Sequence, residues 1–176
     1  MSWRKCLLVG QRNSGKNMIP EHIFATPIWK QENLEFFLED FVLELEKKGD
    51  VARYTNVAGF QSKRDFHKLP EVKNLIEWCE NAFGLKCLNS WANINKNGSY
   101  HRRHIHPGCK ISCVYYVKGG SEIRFFDPRP VKYMTDNMDL FSLTPKDNQL
   151  IAFPAWLEHE VAPHESEEPR ISIAVN

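Results

Sequence analysis

The sequence lacks a charge excess, a long apolar run and a secretory leader, and each absence excludes a class of protein. Lysine plus arginine (23) nearly balance aspartate plus glutamate (22), so the formal net charge of +1 gives no general attraction to nucleic acid or membrane. No apolar run reaches the roughly 20 residues that span a bilayer, and the N-terminus lacks a signal-peptide pattern. We therefore expect a cytoplasmic protein that recognises a small molecule or a peptide.

The five cysteines form no motif for a disulfide framework or a structural zinc site. Their number is odd, and no two of them have a Cys-x-x-Cys spacing. Buried thiols with apolar neighbours are usually inert. We therefore expect reduced cysteines that act as packing residues.

The chain has no internal repeats, and its 176 residues suit one domain. We assign residues 24–176 to that domain and residues 1–23 to an N-terminal extension. The extension contains Gly10-x4-Gly15-Lys16, which is the spacing of a phosphate-binding loop. Asn17 stands where that loop needs serine or threonine to hold magnesium, and Pro20 follows closely. We therefore expect no nucleotide site.

Two helices are predicted in the first half of the chain. Apolar residues, Phe37 among them, recur at helical spacing over residues 34–45, with Asn33 as the N-cap and Gly49 as the C-terminal signal. This apolar stripe is expected to pack in the core. A second helix is predicted over residues 70–84, because it opens on a proline and stops at a glycine.

After residue 84 the apolar pattern becomes alternating, which predicts strands. Residues 128–145 read as a loop, and two further short strands are expected nearer the N-terminus. The predicted strands cover residues 24–29, 57–61, 85–95, 110–117, 122–126, 149–153 and 170–175. Helices followed by many short strands indicate a mainly β, α+β fold, in which closure of the sheet removes exposed edges.

A histidine-rich stretch carries the first candidate site. His104 and His106 are two residues apart, so an extended strand would present both imidazoles to one side, and His159 offers a third ligand. Imidazole suits iron, zinc, copper and nickel alike, so the histidines do not select the metal. His101 lies three residues before His104, so an extended strand would turn it to the opposite side. It is therefore expected in the second shell of the metal site or on the surface. The remaining histidines, His22, His67 and His164, are expected on the surface.

The last predicted strand carries a second candidate site. Alternation places Ile171 and Ile173 toward the core, and Arg170 and Ser172 on the other face. A buried arginine is costly unless it meets an anion, and its guanidinium group matches a carboxylate in bidentate fashion. The alternative is a salt bridge with a glutamate of the preceding loop, at position 165, 167 or 168.

The ordered set His104-x-His106, His159 and Arg170-x-Ser172 resembles the iron(II)- and 2-oxoglutarate-dependent oxygenases. It is most similar to a small branch of that superfamily. The resemblance extends over nearly everything after residue 23 and includes the segments 24–29, 90–95, 100–106, 114–117, 126–129, 153–159 and 170–173.

The resemblance implies a double-stranded β-helix (jelly roll, cupin-like) with the N-terminal helices packed outside. It implies Fe(II) bound by the three histidines and 2-oxoglutarate bound to the metal, with its far carboxylate on Arg170 and Ser172. Tyr100, Tyr115 or Asn93 would add a polar contact. Together with O2, such a site would release succinate and CO2 and hydroxylate an unidentified substrate.

One residue departs from the family pattern. Most members use His-x-Asp or His-x-Glu, and His106 occupies the carboxylate position here. Three neutral imidazoles would leave the metal site with more positive charge than two imidazoles and a carboxylate. This charge could favour another metal or a bound halide. Asp127, on a neighbouring strand, is an alternative carboxylate ligand.

Two other interpretations of the sequence stay open. The sequence pattern does not indicate the oligomeric state. The first is a cupin-like metal protein without 2-oxoglutarate. Its expected glutamate is missing after His106, which favours the oxygenase. The second is a non-catalytic β-sandwich binding module with incidental histidines.

Overall fold

The computed structural model describes residues 24–49, 51–52, 54–129 and 140–176. The segment with phosphate-loop spacing and His22 therefore lie outside the described residues. The described cysteines are free thiols, with Cys79 and Cys113 buried. Within the described part of the chain, no helix has the length and apolarity needed to cross a membrane.

The described residues contain two α-helices, and the first is shorter than predicted. Helix α1 spans Glu39–Lys48 and ends at Gly49, which has the left-handed φ of 73° that glycine tolerates. The predicted start at Asn33 is wrong, because Asn33 and Phe37 have positive φ angles of 59° and 48° and cannot belong to a right-handed helix. Phe37 is consequently 85% exposed rather than part of the core.

The second helix agrees with the prediction. A 3-10 turn over Pro70–Val72 leads into helix α2, which spans Lys73–Phe83 and ends at Gly84. Proline suits this first turn because its missing N–H would be unpaired there in any case.

Within the described part of the chain, eleven strands form two antiparallel sheets, and a mainly β fold is confirmed. The larger sheet has the strand order β1-β9-β6-β11-β4-β3, and the smaller has the order β2-β5-β10-β7-β8. The larger sheet contains β1 (Trp29–Gln31), β3 (Phe60–Gln61), β4 (Ser90–Asn95), β6 (Ile111–Lys118), β9 (Gln149–Pro154) and β11 (Arg170–Val175). The smaller contains β2 (Asn56–Val57), β5 (Tyr100–His104), β7 (Ile123–Phe126), β8 (Leu140–Leu143) and β10 (His159–Val161).

Three details of the strand prediction need correction. Strand β8 falls within the stretch expected to be a loop, and β10 has only three residues, too few to show alternation. The strand expected over residues 57–61 is two strands in different sheets. Ala58 has a φ of 61° at the crossing. At Gly59, a Cβ would come 2.5 Å from the carbonyl oxygen of Ile94, so the chain can pass there only as glycine.

The larger sheet has a different core on each face. Its outer face packs under the helices, where Ile171 and Ile173 join Val42 and Leu75 in one apolar cluster. Its inner face meets the smaller sheet in a second cluster formed by Val114, Tyr116, Ile123, Phe125, Ile151, Phe153 and Leu157. The polar inner-face residues of β4 and β11 lie beside this second cluster and build the candidate site.

Candidate active site

The structure brings His104, His106 and His159 together inside the smaller sheet. The ring centroids are 4.3 Å apart for His104 and His159, 4.9 Å for His106 and His159, and 5.2 Å for His104 and His106. Their possible ligand atoms lie within 4.8 Å of one another, a spacing that could hold a single metal ion. His159 pairs directly with His104 across β10 and β5, so the sheet register brings these two together, whereas His106 follows the end of β5 and its backbone N–H donates to the Ala155 carbonyl oxygen at 2.9 Å.

Hydrogen bonds leave one ring nitrogen available on each histidine. Nδ1 of His104 is 2.5 Å from the Arg102 carbonyl oxygen, and Nδ1 of His159 is 2.8 Å from the Leu157 carbonyl oxygen. Nδ1 of His106 lies 2.6 Å from the side-chain oxygen of Asn176. A carbonyl only accepts, so each Nδ1 carries the proton and each Nε2 keeps its lone pair. This is the tautomer that a metal ligand requires.

The pKa values keep these imidazoles neutral. Burial lowers the pKa of His106 to about 4; the hydrogen bond to Asn176 opposes this shift, and electrostatic interaction with His104 and Arg64 adds to it. Burial and the other two histidines push the pKa of His159 well below its usual range. Nε2 of His106 is buried without a hydrogen-bond partner, which is costly unless a ligand binds there. The donor set therefore fits a divalent metal such as Fe(II).

Asp127 is not a member of this cluster. Its carboxylate accepts hydrogen bonds from the Arg129 side chain at 2.9 and 3.0 Å, and the metal-capable group found among the described residues contains only the three histidines. The alternative of Asp127 as a ligand is thus wrong for this structure, because the Asp-Pro-Arg turn directs the carboxylate to its own arginine.

Arg170 lies on the inner face of the larger sheet without an acidic partner among the described residues. Its side chain is 1% exposed, and its Nη1 donates to Asn95 Oδ1 and to Ser172 Oγ, each at 3.1 Å. The predicted alternative of a salt bridge to the 165–168 loop is not formed. Burial lowers the pKa of Arg170, and its Nε has no hydrogen-bond partner. Such an unpaired buried cation fits an anionic ligand.

A row of buried polar residues runs across the larger sheet beside Arg170. Register aligns Gln61 with Asn93, Asn93 with Ser172, Ser172 with Tyr116, and Tyr116 with Gln149. Directly opposed residues share a face, so the whole row points inward. Asn93 Oδ1, Gln61 Nε2 and the Tyr116 hydroxyl lack hydrogen-bond partners, which leaves three orphaned polar atoms beside a buried guanidinium group.

Two predicted contacts to this pocket need correction. The Tyr115 hydroxyl donates outside the pocket, toward Leu34 O at 2.8 Å and Asn148 Oδ1 at 2.9 Å, because Tyr115 faces the helices. Tyr116 faces the pocket instead, with the Arg170 guanidinium carbon 5.0 Å from its ring centroid. Tyr100 stands opposite Val57 at the start of β5 and is 37% exposed, with no contact to Arg170.

His101 belongs to the pocket, although alternation predicts otherwise. Strand β10 pairs His159 with His104 and Val161 with His101, so β5 contains one extra residue between its two partners. This bulge turns His101 to the same interior as His104. His101 is 6% exposed, and its Nε2 is 3.1 Å from Asn95 Oδ1, the oxygen that also accepts from Arg170. Asn95 therefore links the arginine to the histidine strand.

His164 also departs from the surface position predicted for it. It is 3% exposed and lies between Ser121 Oγ at 2.6 Å and the Glu168 carbonyl oxygen at 2.7 Å. His164 is not part of the three-histidine cluster, and these contacts tie together the loops around β11. His67 is half-buried.

Residues 89–176, half of the chain, match the family model described as "Putative 2OG-Fe(II) oxygenase". The chain belongs to this 2OG-Fe(II) oxygenase family. The matched region contains the three histidines and the Arg170 pocket apart from Gln61. Membership makes the protein an oxidoreductase of the class that uses Fe(II) and 2-oxoglutarate, with O2 as the usual co-substrate. No curated protein matches the chain in sequence.

Solved structures establish the fold of the 2OG-Fe(II) oxygenase independently. The viral collagen prolyl hydroxylase of Paramecium Bursaria Chlorella virus-1, in complex with 2OG, has a TM-score of 0.58 at 15% identity; 84% of this chain and 93% of that chain are covered. HygX from Streptomyces hygroscopicus, with nickel and 2-oxoglutarate bound, has a TM-score of 0.62 at 12% identity, covering 85% and 82%.

A third structure has the same fold. The prolyl hydroxylase from Trichoplax adhaerens, in complex with a peptide fragment of hypoxia inducible factor, has a TM-score of 0.60 at 14% identity, covering 84% and 81%. At these identities the likeness concerns the fold alone. The expected double-stranded β-helix is thereby confirmed for this 2OG-Fe(II) oxygenase.

Proposed function

We propose that this protein is an Fe(II)- and 2-oxoglutarate-dependent dioxygenase that hydroxylates a substrate and releases succinate and CO2. His104, His106 and His159 would hold the metal through Nε2. Arg170 and Ser172 would bind the far carboxylate of 2-oxoglutarate. The observation that carries the proposal is the buried Arg170, which has no acidic partner among the described residues and shares the inner face of the larger sheet with three orphaned polar atoms.

Each part of the pocket would bind a different part of the co-substrate. Arg170 supplies a charge-assisted donor, and its unpaired Nε is free to complete a bidentate contact with a carboxylate. The Tyr116 hydroxyl and Ser172 Oγ can donate to the same oxygens, and Asn93 lies opposite Ser172 in the same row. Tyr116 takes the role that the sequence pattern suggested for Tyr115.

The three histidines suit the metal end of the same ligand. When bound, Fe(II) supplies the redox chemistry that couples O2 to the oxidation of 2-oxoglutarate. With no carboxylate among its protein ligands, the site carries one more positive charge than a two-histidine, one-carboxylate site. One carboxylate of 2-oxoglutarate would offset part of the charge at the metal, while the far carboxylate would pair with Arg170. The aromatic rings of Trp91 and Phe153, at 5.3 and 6.4 Å from the His106 ring, exclude water from its inner side.

Both a peptide and a small molecule remain candidates for the prime substrate. The structural neighbours include a prolyl hydroxylase bound to a peptide fragment and HygX bound to hygromycin B. His104 is the least buried of the three ligands, so the substrate would approach from its side. Arg170 argues against the second candidate, a cupin-like metal protein without 2-oxoglutarate, because such a protein has no use for an unpaired buried guanidinium group.

Succinate formation tests the proposal without knowledge of the substrate. Purified protein is incubated with Fe(II), ascorbate and 2-oxoglutarate in air, and uncoupled succinate production is measured. We expect succinate from wild type, none from His159→Ala or Arg170→Ala, and normal production from the control Tyr115→Phe. Equal production by Arg170→Ala and wild type would contradict the role of Arg170. Absence of succinate from wild type, even with candidate substrate pools, would contradict the proposed function.

A further inference from the structure

His106 is held differently from the other two histidines. His104 and His159 each direct Nδ1 to a backbone carbonyl oxygen two residues earlier, so the local chain fixes their rings. His106 instead directs Nδ1 to two side chains, Asn176 Oδ1 at 2.6 Å and Ser112 Oγ at 3.0 Å. The ligand in the usual carboxylate position thus depends on residues distant in sequence.

Asn176 is itself held in one orientation by Asn89. Its Nδ2 donates to Asn89 Oδ1 at 3.0 Å, and its backbone N–H donates to the Asn89 carbonyl oxygen at 3.0 Å. The Leu88 N–H donates to the Asn176 carbonyl oxygen at 2.7 Å. Four contacts, including the one to His106, therefore fix both ends of Asn176, and its side-chain oxygen faces His106.

The orientation of this amide decides which nitrogen of His106 is free. With Oδ1 facing the ring, Nδ1 must carry the proton and Nε2 keeps its lone pair. A reversed amide would direct its NH2 group at Nδ1, which would move the proton to Nε2 and block the ligand atom. The bond from Asn176 Nδ2 to Asn89 Oδ1 opposes this reversal.

We propose that Asn176, anchored by Asn89, is a positioning residue that fixes the tautomer and the ring orientation of His106 for metal binding. The proposal rests on the proposed function, since it gives His106 a metal to bind. Mutation of a residue that hydrogen-bonds to a metal ligand typically lowers metal affinity by about 10- to 100-fold. The partner here is a neutral amide, so it orients the imidazole without adding the negative charge that a carboxylate partner would bring.

The ring tautomer of His106 tests the proposal in metal-free protein. Nitrogen NMR of the imidazole at neutral pH should show a single Nδ1–H form in wild type and a mixture of tautomers in Asn176→Ala. Asn176→Asp keeps an acceptor facing Nδ1 and should restore the single form. If Asn176→Ala retained the pure Nδ1–H form, Asn176 would not set the tautomer and the proposal would be overturned.

Nickel affinity provides the second test on the full chain. We expect Asn176→Ala to weaken Ni(II) binding about 10- to 100-fold, Asn89→Ala to weaken it less, and Asn176→Asp to bind like wild type or tighter. Ser62→Ala is the control, because Ser62 is similarly buried and its Oγ bonds to the Ala92 N–H and the Lys63 carbonyl oxygen rather than to a histidine. It should leave nickel affinity unchanged.

The outcomes separate this proposal from the proposed function. If wild type and Asn176→Ala bound nickel equally well, only the positioning role would fall. An equal loss in Asn176→Ala and Ser62→Ala would also overturn it, because general destabilisation would then explain both. If wild type bound nickel no better than His159→Ala, the three-histidine metal site itself would be wrong, whereas the tautomer measurement would still decide the role of Asn176.

Discussion

Replacement of Arg170 by methionine is expected to stabilise the ligand-free protein and to abolish 2-oxoglutarate binding. The guanidinium group is 1% exposed; its Nη1 donates to Asn95 and Ser172, while Nε has no partner. The protein therefore bears the cost of burying a charge that, among the described residues, no acid compensates. Methionine has a similar length and adapts to irregular packing.

The size of the effect follows from these contacts. Replacing a buried ion pair with apolar residues stabilises proteins by about 1–4 kcal/mol in favourable cases, and Arg170 has no ion pair to lose. The substitution leaves Ser172 Oγ unpaired at a cost of about 1 kcal/mol, whereas Asn95 Oδ1 keeps His101 as a partner. We therefore expect the free energy of unfolding to rise by about 0–3 kcal/mol.

Urea unfolding with and without 2-oxoglutarate measures both effects. In nickel-loaded protein, 2-oxoglutarate at about 100 times its Kd should raise the free energy of unfolding of wild type by about 3 kcal/mol and leave Arg170→Met unchanged. Arg129→Met is the control, because Arg129 is an exposed arginine paired with Asp127, and it should change stability by less than about 0.5 kcal/mol.

One result would refute the reasoning about Arg170. If ligand-free Arg170→Met were less stable than wild type by more than about 1 kcal/mol, the guanidinium group would be a satisfied structural element, because net hydrogen-bond losses of that size indicate bonds already made in the native state. Retained stabilisation of the variant by 2-oxoglutarate would contradict its role as the carboxylate partner.

The remaining predictions concern neighbouring tyrosines and acid stability. Tyr116→Phe should weaken 2-oxoglutarate binding several-fold, whereas Tyr115→Phe should leave the Kd unchanged and lower stability by about 1 kcal/mol, because the hydroxyl of Tyr115 bonds outside the pocket, to Leu34, Phe36 and Asn148. Isothermal titration calorimetry and urea unfolding distinguish the two, and equal Kd changes would contradict the assignment. The pKa of His106 falls to about 4 in the folded, metal-free protein, so below its ordinary value of about 6.5 the unfolded chain binds a proton that the folded chain excludes. Stability should therefore fall by roughly 2 kcal/mol between about pH 7 and about pH 5 through His106 alone. His106→Gln should show a shallower decline in urea unfolding, and an unchanged slope would contradict the shift.

Strand β11 of the larger sheet was predictable because its residues alternate between core and pocket without interruption. Strand β11 places Ile171 and Ile173 on the helix side and Arg170 and Ser172 inside, as the sequence pattern predicts. The same alternation assigns Asn95 to the inner face of β4, so its place in the pocket could have been recognised from the sequence.

Other features depend on register, which alternation cannot reveal. Alternation would place His101 and His104 on opposite sides of β5, but the extra residue between them turns both to the same side. Only the pairing of β5 with β10 shows this extra residue. Tyr116 rather than Tyr115 enters the pocket because Ser172 aligns with Tyr116 past a second irregularity between β6 and β11. Asn176 contacts His106 although the two residues are 70 positions apart in the sequence, so no local sequence pattern could have indicated this contact.

Local backbone conformation explains the error in helix α1. The apolar spacing extends back to residue 34, but positive φ angles at Asn33 and Phe37 interrupt the chain there. Asn148 also has a positive φ of 56°, and its carbonyl oxygen accepts from the Leu34 N–H at 2.9 Å. The segment is thus held by the 144–149 turn rather than by helical hydrogen bonds, so spacing alone overestimates the helix.

Anaerobic titration of the protein with Fe(II) and then 2-oxoglutarate tests the central claim most directly. The account predicts one Fe(II) and one 2-oxoglutarate per chain, with a visible metal-to-ligand charge-transfer band that appears only when both are present. His106→Ala should lose the band through loss of the metal, and Arg170→Met should lose it through loss of 2-oxoglutarate while still binding Fe(II). Stoichiometric Fe(II) without any band in wild type at saturating 2-oxoglutarate would contradict the account.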